Sequence, residues 1–462
     1  MLLARAPGSF RDPNSSVFRE GPRILRGLRG AAAEGYRRLD SSGLLRELLA
    51  EGALVGTREI PPRGALATEY EAVLEHERVE PITYPYEWSF GALRAAALLH
   101  LDVQLRCLAH GIALCDASAY NVQFRGARPL LIDAGSFRVY REGELWAAHD
   151  QFVRQFLAPL LLASETGVAF QPLLRGLPEG VPVEDLARLL PLRSKFSPRV
   201  FLHVVLPAAL QRRAGERLEK RAASRVRSHA LPRARLSAML EQLRHWIAGL
   251  TPARRGGGWL EYEANTSYSD AAHRAKRDFV AQFVAATRPA RLLDVGCNAG
   301  EYCALALASG ARSAIGLETD AEALEAAFRR SGEANLDFLA LHQDFANPSP
   351  AMGWRLAERE SLRERLQPDA ILALAVIHHL VIARNLPMAD VQAEIVGFAR
   401  QGVIEFVDKP DPMVRRLLAL RADIFDDYGA AAFERALEAR ALIKRRAVLD
   451  GGTRSLYWFE RR

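Results

Sequence analysis

The stretch from Arg291 to Gly300, RLLDVGCNAG, constrains the fold of this chain more than any other. An apolar run leads into Asp294, a turn flanked by two glycines follows, and helix-forming residues continue to Ser309. This order predicts a strand, a tight turn and a helix. Gly296 and Gly300 lack a Cβ, which lets the backbone approach a ligand at the positive end of the helix dipole. A carboxylate at the strand end suits a cationic group such as an α-amino group.

This motif resembles the first strand and turn of class I S-adenosylmethionine (SAM)-dependent methyltransferases. In that family the strand ends in Asp/Glu-x-Gly-x-Gly-x-Gly, and here Asn298 replaces the middle glycine. The spacing differs from the Gly-x-Gly-x-x-Gly of dinucleotide-binding folds. The resemblance covers residues 259–462 and implies a Rossmann-like α/β domain of seven strands that ends in an antiparallel hairpin. It assigns SAM binding in this turn to Asp294, Gly296, Cys297, Asn298 and Gly300.

The resemblance implies further cofactor contacts at the ends of the next two strands. The second predicted strand ends in Glu318, about 20 residues beyond the turn, where a carboxylate accepts hydrogen bonds from both ribose hydroxyls. The third is followed by Asp344 and Phe345, which by the family pattern bind the adenine amino group and flank the ring. Three residues before the first strand can fold over SAM, although ordinary packing explains them equally well: Tyr262, Tyr268 and Lys276.

Two adjacent histidines follow the fourth predicted strand, 370–376. Its near-continuous apolar run is typical of a central strand covered on both faces. His378 and His379 then lie at the open end of the sheet, where many small-molecule and RNA methyltransferases have a similar Leu-His-His-Leu ending. Either histidine can remove a proton from the methyl acceptor or shape its pocket, because histidine titrates near neutral pH. Alternatively, one histidine caps the turn and neither takes part in chemistry.

A second group of polar residues lies in the N-terminal half. Asp116 and Asn121 are five residues apart, and Asp133 follows an apolar run twelve residues later. This spacing is similar to the catalytic and metal-binding loops of protein-kinase-like and aminoglycoside-phosphotransferase-like folds. By that resemblance Asp116 accepts the proton of a substrate hydroxyl, while Asn121 and Asp133 hold Mg²⁺.

The N-terminal half also departs from the kinase pattern. The loop before Asp116 is longer than usual, Ala134 stands where phenylalanine is typical, and no glycine-rich phosphate loop is present. No lysine precedes Lys195, which leaves Arg26 as the substitute for a phosphate-binding lysine. Three interpretations stay open: an active atypical kinase that uses Mg·ATP, a nucleotide-binding or inert pseudokinase, and coincidence. In the last case Asp116 and Asn121 are cap and turn residues.

Length and composition predict two or three domains in a soluble chain. A length of 462 residues exceeds one ordinary domain. No apolar run approaches the roughly 18 residues of a membrane span, and Met1–Arg5 lacks a signal-peptide core, so we expect a cytoplasmic protein. The four cysteines lack metal-ligand spacing and are expected to be buried reduced thiols: Cys107, Cys115, Cys297 and Cys303.

The predicted domain boundary is the Pro/Gly-rich segment 251–258. Before it we place a kinase-like α+β region, 1–250, with a small lobe at about 1–90 and a helical large lobe at about 91–250. Basic charge is concentrated in a connector, 211–255, where twelve Lys/Arg against three Glu leave +9, so the rest of the chain carries −2. Such a run can bind nucleic acid or anionic lipid, but its helix-like apolar residues favour a solvated connector face.

The combination of a degenerate kinase-like half and this type of methyltransferase half resembles a bacterial family of SAM-dependent methyltransferases, some members of which are labelled nodulation proteins. The resemblance implies methyl transfer from SAM to O, N or C of an acceptor, without a metal. A small-molecule or glycan acceptor is favoured over nucleic acid. The alternatives are an atypical ATP-dependent phosphotransferase fused to a nucleoside-binding domain, and an RNA-modifying methyltransferase that uses the basic connector.

Overall fold

The computed structural model of the protein describes residues 3–209, 231–253, 269–419, 421–449 and 451–462. Much of the predicted basic connector, part of the predicted linker, Tyr262 and Tyr268 lie outside the described residues. The chain divides into two compact units. The N-terminal unit comprises Met1–Phe124, Arg128–Arg255 and Ala351–Glu360, and the C-terminal unit comprises Arg125–Ala127, Gly256–Pro350 and Ser361–Arg462.

The N-terminal unit begins with a five-stranded antiparallel sheet in the order β1-β2-β3-β5-β4. β2 and β3 form a hairpin whose turn contains Gly21 at a φ of 61°, a left-handed conformation that favours glycine. Phe18, Leu25 and Val73 pack together on one face of this sheet. The strands are β1 (Leu3–Arg5), β2 (Ser15–Glu20), β3 (Arg23–Leu28), β4 (Thr57–Ile60) and β5 (Ala72–His76).

A long helix, Phe90–Ala109, forms the centre of the helical part of this unit. Ser89 caps its first turn by accepting a hydrogen bond from Ala92 N at 3.0 Å, and Leu93 and Leu101 are fully buried. The other helices are Gly30–Ser41, Leu44–Ala50, Ala65–Glu69, His149–Phe152, Ala158–Thr166, Gln171–Gly176, Val183–Leu189, Leu192–Lys195, Pro198–Val200 and Arg233–Ala248, with π-helical segments at Val153–Leu157 and Phe201–Val205.

Two small sheets flank the segments that contain Asp116, Asn121 and Asp133. β6 (Ile112–Leu114) pairs with β9 (Phe137–Val139), and β7 (Val122–Arg125) pairs with β8 (Arg128–Leu131). Asp116 therefore lies between β6 and β7. The second segment lies between β8 and β9.

The segment Ala351–Glu360 belongs to the N-terminal unit although it lies late in the sequence. Arg11 Nη2 is 2.9 Å from Glu358 Oε1, and Arg19 Nη1 is 2.9 Å from Glu360 Oε1. Glu360 N donates a hydrogen bond to the Tyr84 hydroxyl at 2.9 Å. Long-range contacts of this kind cannot be read from the sequence, so the contiguous halves that we predicted differ from the compact units.

The C-terminal unit contains a seven-stranded sheet in the order β12-β11-β10-β13-β14-β16-β15. β10 to β14 are parallel, and β16 runs antiparallel to both β14 and β15. The sheet thus has the seven strands and closing hairpin that the sequence predicts. The strands are β10 (Arg291–Val295), β11 (Ser313–Glu318), β12 (Phe338–His342), β13 (Ala370–Ala373), β14 (Gln401–Val407), β15 (Ala441–Val448) and β16 (Arg454–Arg461).

Helices pack against this sheet and bury its apolar residues. The helix Asp270–Thr287 inserts Phe279 and Phe283 among sheet residues that include Leu292 and Leu372. Each such side chain contributes about 1.5–3 kcal/mol when it is fully buried. The remaining helices are Glu301–Ala308, Ala321–Glu333, Leu362–Arg365, Met388–Phe398, Pro412–Leu418 and Ala430–Glu438, with a π-helical segment at His379–Ala383.

Two sequence expectations concern the whole chain. All four cysteines are free thiols, and three are buried, whereas Cys115 is exposed because it lies in the loop after β6. Within the described ranges, no helix combines the length and the hydropathy needed to cross a membrane.

Candidate functional site

A cavity of about 640 Å³ lies at the carboxyl ends of β10 to β13 in the C-terminal unit. Parallel strands bring their carboxyl ends to one edge of the sheet, where ligands of open α/β sheets bind. The lining includes both histidines and, apart from Gly300, every residue to which the family pattern assigns SAM binding at the strand ends. Those lining residues are Asp294, Gly296, Cys297, Asn298, Glu318, Asp344, Phe345, His378 and His379.

The turn after β10 forms one wall of this cavity. Gly296, Asn298 and Gly300 have φ values of 73°, 49° and 77°, so the backbone is left-handed at three positions. A Cβ on Gly300 would lie 2.4 Å from the ring of Phe338, which shows that this glycine permits close packing behind the turn and does not face the cavity. Asn298 Oδ1 is buried without a hydrogen-bond partner, a costly state that a bound donor would relieve.

Asp294 lies at the end of β10 and is only 2% exposed. Burial raises the pKa of its carboxyl group to about 7, because the charged form loses its hydration, and the nearby Lys276 opposes this shift. The Cys303 thiol donates to Asp294 Oδ2 at 3.7 Å. A cationic ligand in the cavity would favour the carboxylate form.

Glu318 ends β11 and is held in one orientation by backbone donors. Its Oε1 accepts hydrogen bonds from Thr319 N at 2.7 Å and Asp320 N at 2.9 Å, while Oε2 accepts one from Asn298 N at 2.8 Å. Burial raises the pKa of this carboxyl group, and the backbone hydrogen bonds oppose that shift. The Asn298 contact joins the turn after β10 to the end of β11, so the two predicted ligand-binding carboxylates lie on linked elements.

Asp344 and Phe345 follow β12 at the same edge. Asp344 Oδ1 accepts a hydrogen bond from Ala346 N at 2.9 Å, and Oδ2 pairs with Arg384 Nη2 at 2.7 Å. The ring of Phe345 packs 5.5 Å from that of Phe398, measured between centroids. Sequence reasoning did not single out Arg384. This residue pairs with Asp344, the carboxylate that by the family pattern binds the adenine amino group.

His378 and His379 lie side by side after β13, with ring centroids 4.2 Å apart. Burial, then the neighbouring His379, lowers the pKa of His378 well below its usual value, and burial lowers that of His379 to about 4. Both imidazoles are therefore neutral at neutral pH. His378 is 1% exposed, lines the cavity, and has no hydrogen-bond partner at either ring nitrogen. Its nitrogens are available to a ligand.

The segment between β13 and the histidines adopts a strained path. β13 ends at Ala373, three residues before the predicted strand end. Ala375 has a φ of 53°, a left-handed conformation that costs a residue with a side chain about 1–3 kcal/mol. The chain then enters the π-helical segment His379–Ala383. With this local geometry both histidines form part of the cavity lining.

A buried network of charges supports part of the cavity lining. Lys276 Nζ lies 2.8 Å from Glu405 Oε2, and Arg454 Nε lies 2.7 Å from Asp411 Oδ2. Arg454 Nη1 also lies 3.6 Å from Glu405 Oε1, which joins the two pairs. Lys276 and Arg454 line the cavity. Sequence reasoning did not single out Arg454 or Glu405, although an acid inside the apolar strand β14 was a signal for Glu405.

The N-terminal unit brings its three predicted residues close together. Asn121 Nδ2 donates to Asp133 Oδ2 at 3.3 Å. Asp116 accepts a hydrogen bond from Ser118 N at 2.7 Å, the geometry of a local turn. Burial raises the pKa of the Asp116 carboxyl group, and the charge of Asp133 adds to that effect.

Arg26 on β3 contacts one member of this group, Asp133. Its Nη1 lies 2.5 Å from Asp133 Oδ1 and donates to Ser15 Oγ at 2.8 Å. Its Nε contacts His76 Nε2 at 3.3 Å, and Nη2 donates to Ile132 O at 3.3 Å. The guanidinium that the sequence suggested for phosphate binding therefore makes an ion pair with the acid suggested for Mg²⁺. Among the residues that the structure describes, no group of three or more His, Cys, Asp or Glu side chains is arranged to hold a metal ion.

Similar solved structures include several methyltransferases. N-methyltransferase NodS from Bradyrhizobium japonicum WM9 is 15% identical, with a TM-score of 0.32 over 42% of this chain and 98% of that chain. Magnesium protoporphyrin IX methyltransferase (ChlM) from Synechocystis PCC 6803, with bound SAH, is 15% identical, with a TM-score of 0.31 over 41% and 84%. The 16S rRNA methylase RmtB is 17% identical, with a TM-score of 0.30 over 50% and 85%.

A curated relative matches the chain from end to end. No family model matches. Nodulation protein NoeA of Rhizobium meliloti (strain 1021) is 44% identical over 473 aligned positions, which cover 100% of this chain and 98% of the relative. Identity at this level over the full length of both proteins shows common descent of both units together. The chain belongs to the family of nodulation protein NoeA.

Proposed function

We propose that the C-terminal unit binds SAM in this cavity and transfers its methyl group to a small-molecule or glycan acceptor. The observation that carries the proposal is the placement of two carboxylates, Asp294 and Glu318, at the ends of adjacent parallel strands facing one cavity. The resemblance in sequence assigns these positions to the amino-acid tail and the ribose of SAM. Both chemistries match: a carboxylate attracts an ammonium group and accepts hydrogen bonds from vicinal hydroxyls.

The residues present fit the cofactor. The buried carboxyl of Asp294 gains a counter-ion when an α-amino group lies beside it, which favours its charged form. The unpartnered Asn298 Oδ1 gains a donor. Glu318 is already oriented by three backbone N–H groups, so its carboxylate loses little conformational freedom on binding. When bound, SAM supplies a methyl group on a sulfonium, which is reactive enough that the protein mainly aligns the reactants and excludes water.

His378 is the residue best placed to handle the acceptor. Burial keeps its imidazole neutral, so a ring nitrogen can accept a hydrogen bond from an acceptor O–H or N–H. A strongly lowered pKa makes this imidazole a weak base, which suits orientation of the acceptor lone pair better than full removal of a proton before transfer. Lys276 and Arg454 also line the cavity and are held in place by buried acidic partners.

Isothermal titration of the full-length protein with SAM tests cofactor binding. The isosteric variant Asp294→Asn keeps the shape of the site but loses its charge, and we expect SAM affinity to fall about 10-fold to 100-fold. Asp278→Asn is the matched control, because Asp278 is exposed on the helix Asp270–Thr287. Absence of SAM binding by the wild-type protein, or equal binding by Asp294→Asn, would contradict the proposal.

The acceptor can be found with isotopically labelled SAM. Extracts treated with the protein are searched by mass spectrometry for products that gain one labelled methyl group, with Asp294→Asn as the negative control. His378→Phe fills the same space without ring nitrogens, and we expect it to retain SAM binding while losing most methyl transfer. Retention of full activity by His378→Phe would remove this histidine from the mechanism.

For the N-terminal unit we propose a kinase-like domain that does not transfer phosphate. The ion pair between Arg26 and Asp133 supports this proposal, because one charged group satisfies the other without Mg²⁺ or nucleotide. The competing function is an ATP-dependent phosphotransferase. Titration of the protein with Mg·ATP separates the two: we expect no binding, whereas Mg-dependent ATP binding that is lost in Asp133→Asn would favour the phosphotransferase.

A further inference from the structure

The N-terminal unit exposes a dense group of large apolar side chains between Leu189 and Leu206. This segment contains the helices Leu192–Lys195 and Pro198–Val200 and the π-helical segment Phe201–Val205. We call it the 189–206 face. Its exposed members, with their exposed fractions, are Leu189 (54%), Leu192 (74%), Phe196 (84%), Phe201 (51%), Leu202 (50%) and Leu206 (37%).

The inner side of the same segment is firmly packed. Leu190, Val200 and Val204 are 2%, 2% and 0% exposed. Ser194 Oγ donates to Glu165 Oε2 at 2.7 Å, which fixes the helix Leu192–Lys195 to the helix Ala158–Thr166. An ordinary surface helix turns polar residues outward, but this segment is apolar on its outer side as well as its inner side. Such a face marks an interaction surface.

Basic side chains predominate along the face. Arg193, Lys195 and Arg199 lie in it, and no Asp or Glu occurs from residue 186 to residue 215. Two acids lie beside it: Asp185 pairs with Arg188 at 3.2 Å, and Glu241 lines a small cavity together with Arg199 and Leu202. The sequence then continues into the basic connector, 211–255, with its net charge of +9. The partner that complements this arrangement is therefore anionic and also offers an apolar interior.

We propose that the 189–206 face docks on an anionic lipid surface. Leucine and phenylalanine side chains enter the boundary between headgroups and acyl chains, while Arg and Lys side chains pair with anionic headgroups. A nucleic acid would use the cations and the aromatic rings, but it offers no apolar interior for Leu192, Leu202 and Leu206. The docking is peripheral, consistent with the lack of a membrane-spanning helix in the described part of the chain.

Vesicle flotation of the full-length protein tests the proposal. One set of vesicles contains phosphatidylcholine alone, and the other contains phosphatidylcholine with phosphatidylglycerol. We expect binding to the anionic vesicles, weaker binding to the neutral ones, and a decrease as salt screens the headgroup charge. The double variant Leu192→Ser/Phe196→Ser removes two exposed apolar side chains without changing charge, and its partitioning should fall about tenfold or more.

The control is Ile424→Ser, which removes an equally exposed apolar residue, 65% exposed, from the C-terminal unit. Circular dichroism and thermal unfolding verify that each variant folds, and SAM titration shows that the cofactor site is unaffected, so failure of this proposal is distinct from failure of the methyltransferase proposal. Unchanged vesicle binding by the double variant would overturn the inference, as would equal binding to both vesicle types. Self-association that the double variant abolishes, without vesicle binding, would assign the face to a second copy of the chain instead.

Discussion

Asp294 in the C-terminal unit and Asp133 in the N-terminal unit are both acids that follow apolar strands, yet their surroundings differ. Asp133 lies 2.5 Å from the Arg26 guanidinium and also accepts a hydrogen bond from Gly135 N. Asp294 is buried beside a thiol, and burial raises its pKa to about 7. One acid is satisfied by the protein, and the other is held in a state that a cationic ligand would relieve. The comparison indicates that residue type and spacing alone do not make an acid a ligand-binding residue. Its charge must also be left without a counter-ion by the protein itself.

Removal of Arg26 should have the largest effect. Arg26→Met keeps the length of the side chain but leaves Asp133 as an uncompensated, largely buried charge, and we expect a loss of about 3–5 kcal/mol in the free energy of unfolding. Urea unfolding of the full-length protein measures it. The double variant Arg26→Met/Asp133→Asn should recover part of that loss, because no charge is then left unpaired. Equal unfolding free energies for wild type and Arg26→Met would show that the ion pair does not stabilise this unit.

At Asp294 the expected effect is on SAM affinity, and it depends on pH. Binding of an α-amino group requires the carboxylate, so SAM affinity should fall about tenfold for each pH unit below about 7. It should also fall above about pH 8, where the α-amino group itself loses its proton. Titration calorimetry from pH 5 to pH 9 measures this profile. Asp294→Asn should lose the acidic limb, and a wild-type profile without an acidic limb would contradict the role of Asp294.

In the protein without ligand, the raised pKa of Asp294 affects stability, and the effect of pH on stability is opposite to its effect on affinity. The folded pKa of about 7 lies above the ordinary value of 3.8 for an aspartic acid, so between these values the folded state holds a proton that the unfolded state has released. Stability should therefore decrease as pH rises from about 4 to about 7. Asp294→Asn should remove this contribution, and thermal unfolding across that range compares the two proteins.

The smallest expected effect is at Asn298. Asn298→Gly suits the φ of 49° and restores the glycine of the family motif, so stability should be unchanged or slightly higher. It also removes the unpartnered Oδ1 acceptor, and SAM affinity should fall about 3-fold to 10-fold. Asn335→Gly, at a φ of 48° outside the cavity lining, is the matched control. A tighter complex with Asn298→Gly would show that the amide does not contact the cofactor.

Local sequence patterns predicted the parts of the fold that short-range chemistry determines. The strand-turn-helix at Asp294 follows from its apolar run and its glycines. The end of β13 was placed three residues too late, because the apolar run continues through Ala375, whose left-handed backbone leaves the strand. An apolar pattern records burial and carries no information about such a bend.

Interactions between distant residues were outside the reach of the sequence. Glu405 and Asp411 meet Lys276 and Arg454 only after the sheet has formed, so these ion pairs were not predicted. Arg26 was suggested as the substitute for a phosphate-binding lysine, but its ion pair with Asp133 spans more than 100 residues. The spacing of Asp116, Asn121 and Asp133 predicted that these residues lie close together. It did not predict that Arg26 neutralises Asp133.

The placement of Ala351–Glu360 within the N-terminal unit limits how this protein can be divided. Fragments cut at the Pro/Gly-rich segment 251–258 would place Glu358 and its partner Arg11 on different molecules. The same cut would separate Glu360 from Arg19. Genes encoding either half alone would thus produce incomplete folding units.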